Sequence, residues 1–433
     1  MIFEACKKEK NQFDEPEVKI LSPSEGEVFK IYDTVFIKAR VQHSRNILKA
    51  TLSITDTDLK RIEGGPTLFP DTTVFTIDTY IILSNRYVQE TENYLLIEIE
   101  DDNEAFNFWY NLRIVPLDKE LQNILVITGA PDNPGIIHQS HFTADMTGNL
   151  NRLYKISSSG TYSKINEWTS EFIGGYTDSK FRLFYSSGSI ESGISGFDIE
   201  QNITRWNVPA QSAGSIPYFT TFDGYEGKVA VGIYDGSVEC YDQNGIILMK
   251  TVKQPGGRFS TIRIFDKWVV GVFNPFDGTN AKLYIFNNPA GNLYDIMNLP
   301  GKSAKLIPLD LKQMLVIVDE SGNNEAYTYN FVQKQFNYLH EVTSDPLYRS
   351  TGLGNDIFFI SEGGVKWYRA NIGSTVDYLQ IDSVNSIAYD AVGSTLFVGR
   401  GNILYSYSLP LTTPSSSIAF PEEIKEISLL YNK

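Results

Sequence analysis

Residues 237–251, SVECYDQNGIILMKT, read as a strand, a tight turn at Asn244-Gly245 and a second strand. An Asn-Gly pair between two runs of alternating and β-branched residues is a strong short-range hairpin signal. Variants of this stretch recur through the last three hundred residues. Aligned on the residue matching Tyr241, the copies have anchors at Ile156, Phe197, Tyr241, Phe286, Tyr329, Tyr368 and Tyr407, with steps of 41, 44, 45, 43, 39 and 39 residues. Three residues before each anchor stands Leu153, Ile194, Val238, Leu283, Ala326, Val365 or Leu404, all apolar.

Upstream of six anchors lies an apolar run: RLFYS, KVAVGIY, WVVGVF, MLVIVD, DIFFIS or TLFVGR. The run before the first anchor, ILVITG, stands further away. Each unit also holds an earlier strand, such as TIRIFD (261–266) or VNSIAYD (384–390), and a later one, such as NITRWNV. Four strands per roughly forty residues, repeated seven times, predict an all-β, seven-bladed β-propeller over residues 118–433. The first copy lacks its innermost strand, and the chain's last residues, EIKEISLLYNK, resemble VNSIAYD without a copy of their own. Ile424–Tyr431 is therefore expected to enter the first blade and close the ring.

Residues 16–117 read as a separate small β-sandwich. Its strands are expected at 18–21, 35–41, 48–55, 73–83, 94–100 and 106–115. VFIKARV puts Val35, Ile37, Ala39 and Val41 on one face, and YLLIEIE offers Tyr94, Leu96, Ile97 and Ile99. Residues 1–15 are polar and charged and read as a disordered tail.

The net charge is −15. That argues against a nucleic-acid partner, which needs a basic face. No segment reaches the roughly 18 apolar residues of a membrane span, so no transmembrane helix is expected. The two cysteines, Cys6 and Cys240, sit in the tail and in a blade strand and are not expected to pair.

Three resemblances follow from these residues. KVAVGIYDGSVECYDQNGIILMKT looks like a blade of the quinoprotein, YVTN and WD40-like propellers, although no Trp-Asp dipeptide closes the copies. VKILSPSEGEVFKIYDTVFIKARV resembles the start of bacterial immunoglobulin-like or PKD-like domains. FEACKKEKNQFDEPE resembles the processing site of bacterial lipoproteins, above all those of the Bacteroidetes. The last resemblance implies lipidation at Cys6 and a place at the outer membrane or cell surface, with a periplasm-facing position as the variant. Together the three imply a surface lipoprotein that captures extracellular material.

Local motifs for chemistry are missing. G-x-S-x-G does not occur, and Gly256-Gly257-Arg258 lacks the Lys-Ser/Thr of a phosphate loop. His43 and His340 stand alone, and the near pair His138 and His141 would face opposite sides of a strand. No cofactor is implied. The acidic turns Asp56-Thr57-Asp58 and Asp101-Asp102-Asn103-Glu104 offer oxygen ligands of the kind calcium takes. Trp168, Trp206, Trp268 and Trp367 offer sugar-stacking surfaces but fit blade packing better.

One feature stands out. The loops joining second and third blade strands would crowd one face around the channel mouth. They carry Asp132, Glu191, Asp235, Asp277, Asp319, Glu320, Glu325 and Glu362 against the single base Arg400. Such a face suits a cation, a basic segment or a hydroxyl-rich ligand. The expected function is thus non-catalytic binding or scaffolding of an extracellular glycan or protein. The alternatives are a glycan hydrolase or lyase with axial carboxylates, and a structural subunit of a surface assembly.

Overall fold

The computed structural model describes residues 15–86, 88, 91–129, 150–169, 172–188, 193–211 and 218–433, and every regular element among them is a β-strand. The chain divides after Asp118 into two compact units.

The first unit holds two sheets around one core. Glu17–Ser22, Thr34–Ile47 and Thr72–Ile82 form the smaller. The larger runs Val28–Lys30, Ala105–Val115, Glu92–Glu100, Lys49–Thr55 and Arg61–Leu68, with only its first pair parallel. Period-2 alternation aims Val35, Ile37, Ala39 and Val41 inward against Leu52, Ile54, Leu95, Ile97 and Ile99. Leu95 takes the core position; Tyr94 and Leu96 lie on the opposite face, correcting the sequence reading. Two strands escaped that reading, Val28–Lys30 and Arg61–Leu68. The second contains Gly64-Gly65-Pro66, which reads as a break. Its glycine has a packing cause, since a Cβ on Gly65 would meet Ile81 Cδ1 at 2.6 Å and the Leu52 carbonyl at 2.8 Å.

Among the described residues, the second unit holds seven four-stranded antiparallel sheets in chain order. Their first strands are Glu423–Tyr431, Gly174–Asp178, Phe219–Tyr225, Gly257–Phe265, Ser303–Pro308, Leu347–Leu353 and Val384–Asp390. We number the sheets one to seven in that order. Sheet one takes its first strand from the C-terminus: Glu423–Tyr431 pairs antiparallel with Leu121–Gly129, which is followed by Leu150–Ile156 and Tyr162–Thr169. Each first strand touches the first strands of the sheets on either side, from one through seven and back to one. The unit is therefore a closed ring of sheets, a β-propeller.

The repeated residues explain why the ring closes. All seven anchors are buried, and so are the seven apolar residues three positions earlier. An odd separation along a strand sends two side chains to opposite faces. Tyr241 accordingly packs toward sheet two and Val238 toward sheet four. Phe286 packs toward sheet three and Leu283 toward sheet five; Tyr329 faces four and Ala326 six. Tyr368 faces five and Val365 seven; Tyr407 faces six and Leu404 one. Ile156 faces seven and Leu153 two, while Phe197 faces one and Ile194 three. Every anchor thus points to the preceding sheet and every partner to the next. Burying one such large apolar side chain contributes about 1.5–3 kcal/mol.

The hairpin at 237–251 pairs Glu239 with Lys250, Cys240 with Met249 and Tyr241 with Ile247. Asp242 Oδ1 accepts the amides of Asn244 and Ile246, and Gly245 takes φ +76°. Cys240 is fully buried, and burial pushes its thiol well above the ordinary range.

Candidate functional site

Two regions of the propeller gather side chains with chemistry, and the first is the face of the loops between second and third strands. Asp132 and Glu191 lie outside the described residues, as do Cys6, His138 and His141. The remaining acids fall into two groups. Asp235, Asp277 and Glu362 stand in loops. Asp319, Glu320 and Glu325 belong to the strands Gln313–Glu320 and Asn323–Asn330 that flank a two-residue turn.

Three of these six carboxylates, Asp235, Asp277 and Asp319, hold the backbone. Asp235 Oδ1 accepts the Ser237 amide at 3.0 Å and its hydroxyl at 2.6 Å, and Oδ2 meets Lys253 Nζ at 2.9 Å. Burial pushes the Asp235 carboxyl up, but these donors together hold it below its usual range. Asp277 is likewise held low, by the amide and hydroxyl of Thr279. Asp319 Oδ1 accepts the Gly322 amide at 3.1 Å, and Glu320 lies 3.4 Å from the Tyr327 hydroxyl. Arg400 is engaged by Asp382 from the link into sheet seven. The negative face expected from sequence is therefore partly neutralised, because Lys253, from a link between sheets that the loop count left out, pairs with Asp235.

The same face carries apolar surface that sequence reasoning missed. Tyr234, Val252 and Phe276 are 43%, 79% and 69% exposed. They are joined through backbone: the Gln254 amide donates to Gly236 O, and the Phe276 amide to Gly256 O. Tyr218 packs against Tyr234 with ring centroids 5.9 Å apart. The flanking acids are Asp235 and Asp277. The signal was present as an aromatic after each apolar run, in GIYDG and VFNPFDG.

The second region is the axial channel. Arg263 Nη1 meets Asp223 Oδ1 at 2.8 Å, and its Nε donates to the Leu306 carbonyl at 3.2 Å. It thereby ties sheets three, four and five together. Arg349 of sheet six donates to the Lys425 carbonyl at 2.7 Å and to Glu426 Oε2 at 2.9 Å in sheet one. That contact joins two sheets that are not neighbours in the ring, with sheet seven between them. Asp223 and Arg263 keep 14% and 33% of their side-chain surface accessible, and Glu426 and Arg349 keep 24% and 31%. The first strands thus place charged, partly exposed side chains at this level of the axis. Burial raises the Asp223 and Glu426 carboxyls above their usual range against the pull of their arginines. Lys305 of sheet five stands between the two arginine-bearing strands. Burial and the neighbouring Arg349 charge lower its ammonium to about 8, with Asp319 opposing.

None of these channel residues was singled out from sequence. The trace they leave is a charged residue midway along an otherwise apolar first strand, as in TIRIFD or SAKLIP. Only a repeat alignment brings them together.

The other sequence candidates find local roles. Trp206 Nε1 donates to Gln243 O at 2.8 Å, Trp367 Nε1 to Asp356 at 3.0 Å, Trp268 is buried, and Trp168 packs on Phe172. Asp101 is buried and accepts from the amides of Asn103 and Glu104, from His43 at 3.0 Å and from Arg45 at 3.1 Å. Asp56 Oδ1 accepts the Lys60 amide. Both acidic turns thus spend carboxylate oxygens on their own chain. Among the described residues no group of three or more His, Cys, Asp or Glu is placed to hold a metal ion. No described helix is long and apolar enough to cross a membrane.

No family model matches the chain, and no curated protein matches it. Solved structures do. A quinoprotein alcohol dehydrogenase-like protein from Bacteroides thetaiotaomicron is similar at 10% identity and TM-score 0.48, over 96% of this chain and 99% of that one. The computationally designed Ika8 protein is similar at 12% and 0.46, over 72% and 91%. A chain of the nidogen/laminin complex is similar at 9% and 0.41, over 72% and 99%. Likenesses of this degree do not bear on function.

Proposed function

We propose that this chain is a non-catalytic binding protein of the cell surface, a seven-bladed propeller with an immunoglobulin-like first domain and a lipid anchor at Cys6. The loop face around Tyr234, Val252 and Phe276 receives an extracellular glycan. The carrying observation is the exposure of two aromatic rings and a valine on one continuous backbone path, flanked by carboxylates. Aromatic faces stack on the apolar side of a sugar ring, and carboxylates accept its hydroxyls; an exposed apolar patch rimmed by polar groups is the usual mark of a recognition surface. Asp235 and Asp277, fixed by their own turns, present acceptors without further ordering cost.

The reading as a hydrolase or lyase with axial carboxylates has less behind it. Asp223 and Glu426 are each engaged by an arginine on another sheet. Burial raises both carboxyls, as a general acid requires, but each is tied to an arginine that pulls it back toward the ionised form.

Glycan-array binding by the full chain and by Y234A/F276A tests the proposal. Binding lost by at least tenfold with the fold retained supports it. Equal binding by both proteins, or turnover of any bound glycan, overturns it.

A further inference from the structure

We propose that the axial channel is a binding site for a single carboxylate group, held by Lys305 and Arg349. This goes beyond the loop-face reading and stands without it, because it uses other residues and another ligand group.

The register fixes where the charges sit. Lys305 pairs with Ile317, three residues beyond the position opposite the anchor of its sheet. Glu426 pairs with Ile127, three beyond in sheet one. Asp223 and Arg263 pair with Ala230 and Val270, each one beyond. The charged groups therefore form two tiers on the first strands, separated by two residues or roughly 7 Å of strand rise. Arg349 joins the Lys305 tier by its bond to Glu426. This tier is the nearer to the loop face.

Lys305 is the unbalanced member. Asp223 is matched by Arg263 and Glu426 by Arg349. Lys305 has no hydrogen-bond or ion-pair partner among the described residues, and burial and the Arg349 charge together destabilise its protonated form. The elements packed on its strand supply few acids. Gln313–Glu320 brings Asp319 and Glu320, already bonded to Gly322 and Tyr327; Gly257–Phe265 brings Arg258 and Arg263; Leu347–Leu353 brings Arg349; Trp268–Pro275 brings no charge. Lys425 turns back into sheet one, its Cε beside Gly129. The five channel side chains sum to one net positive charge, and Asp319, whose bond to a neutral amide leaves its charge in place, acts on Lys305 by its field without a direct bond. Lys305 keeps its donors free, and an ammonium beside a guanidinium gives a carboxylate donors for both oxygens.

The carboxylate can come from a uronic acid of a glycan or from a small free acid. Calorimetric titration of the full chain with glucuronate, acetate, glucose and sulfate at constant ionic strength distinguishes them. Glucuronate or acetate is expected to bind and glucose to fail. Glucuronate tighter than acetate identifies the sugar acid, and equal affinities identify the bare carboxylate; either supports the site. K305M should lose at least tenfold in affinity while melting no lower than the parent, since it removes an unpartnered charge. Affinity should fall about tenfold from pH 7 to pH 9 as Lys305 deprotonates, and K305R should bind with no such pH dependence. No binding of either acid, sulfate binding as tightly as acetate, unchanged affinity in K305M, or a flat pH profile in the parent overturns the proposal.

Discussion

Arg349 Nη1 lies 2.9 Å from Glu426 Oε2, and the two residues belong to sheets that are not neighbours in the ring. The contact links the sixth sheet to the C-terminal strand that completes the first. It is therefore part of the closure as well as of the channel's charge.

Removing one member of this pair strands the other in a half-desolvated channel. R349L and E426Q should each destabilise the propeller by about 1–2 kcal/mol, below the cost of a fully buried pair because both side chains keep some water. The double variant should recover part of that loss. Urea unfolding of all four proteins as a double-mutant cycle measures the coupling, and strict additivity would show that the contact contributes nothing to closure.

The strand itself matters more than the pair. Glu423–Tyr431 provides the whole ladder on one edge of Leu121–Gly129, and it contributes Ile424, Ile427 and Leu430 to the packing on both sides of sheet one. A chain ending at Glu423 should lose amide protection in Leu121–Gly129 and Leu150–Ile156 and unfold in a broadened, lower transition. Hydrogen exchange and thermal melting test this, and an unchanged melting curve would rule out the clasp as a source of stability.

How much of this was legible follows from what each feature depends on. The anchors and their partners were readable because a blade must bury both faces, and an odd spacing of apolar residues serves both. The C-terminal strand was readable because one copy lacked a strand and one strand lacked a copy. Arg61–Leu68 was not, because Gly65 is there for close packing, which imitates a turn signal. The channel charges were also hidden. Asp223, Arg263, Lys305, Arg349 and Glu426 meet only when five first strands converge, and no spacing within any one strand encodes that. The charges of the loop face were visible, but Lys253 and Asp382, the partners of Asp235 and Arg400, come from links that a loop-by-loop count omits.

Asp101 makes the first domain acid-sensitive. Burial alone would raise its carboxyl, but the amides of Asn103 and Glu104, His43 and Arg45 outweigh it and bring the value to about 2. The folded state thus binds this proton less tightly than the unfolded state does. The resulting stabilisation is fully present above about pH 4 and is lost as pH falls through about 2. At neutral pH D101N should cost that domain ~2 kcal/mol, since each tenfold weakening of proton binding on folding is worth about 1.4 kcal/mol. Hydrogen exchange in Thr34–Ile47 should show the gap between parent and variant at pH 7 and its narrowing toward pH 2. A gap that stays constant over that range would mean that Asp101 acts through packing rather than charge.

The turn at Asn244-Gly245 carries a second constraint besides its own geometry. Gly245 takes φ +76°, and a Cβ there would stand 2.8 Å from Trp206 Cδ2, on the preceding sheet. Trp206 is held in place by its bond to Gln243 O, so the indole cannot withdraw without losing a hydrogen bond. G245A should therefore destabilise by more than the ~1 kcal/mol that a left-handed backbone position alone costs an L-residue. G245A in a W206F background separates the causes, because phenylalanine gives up both the bond and part of the ring. If the clash dominates, most of the loss disappears in that background; if the backbone dominates, urea midpoints will show the same G245A penalty with either residue at 206.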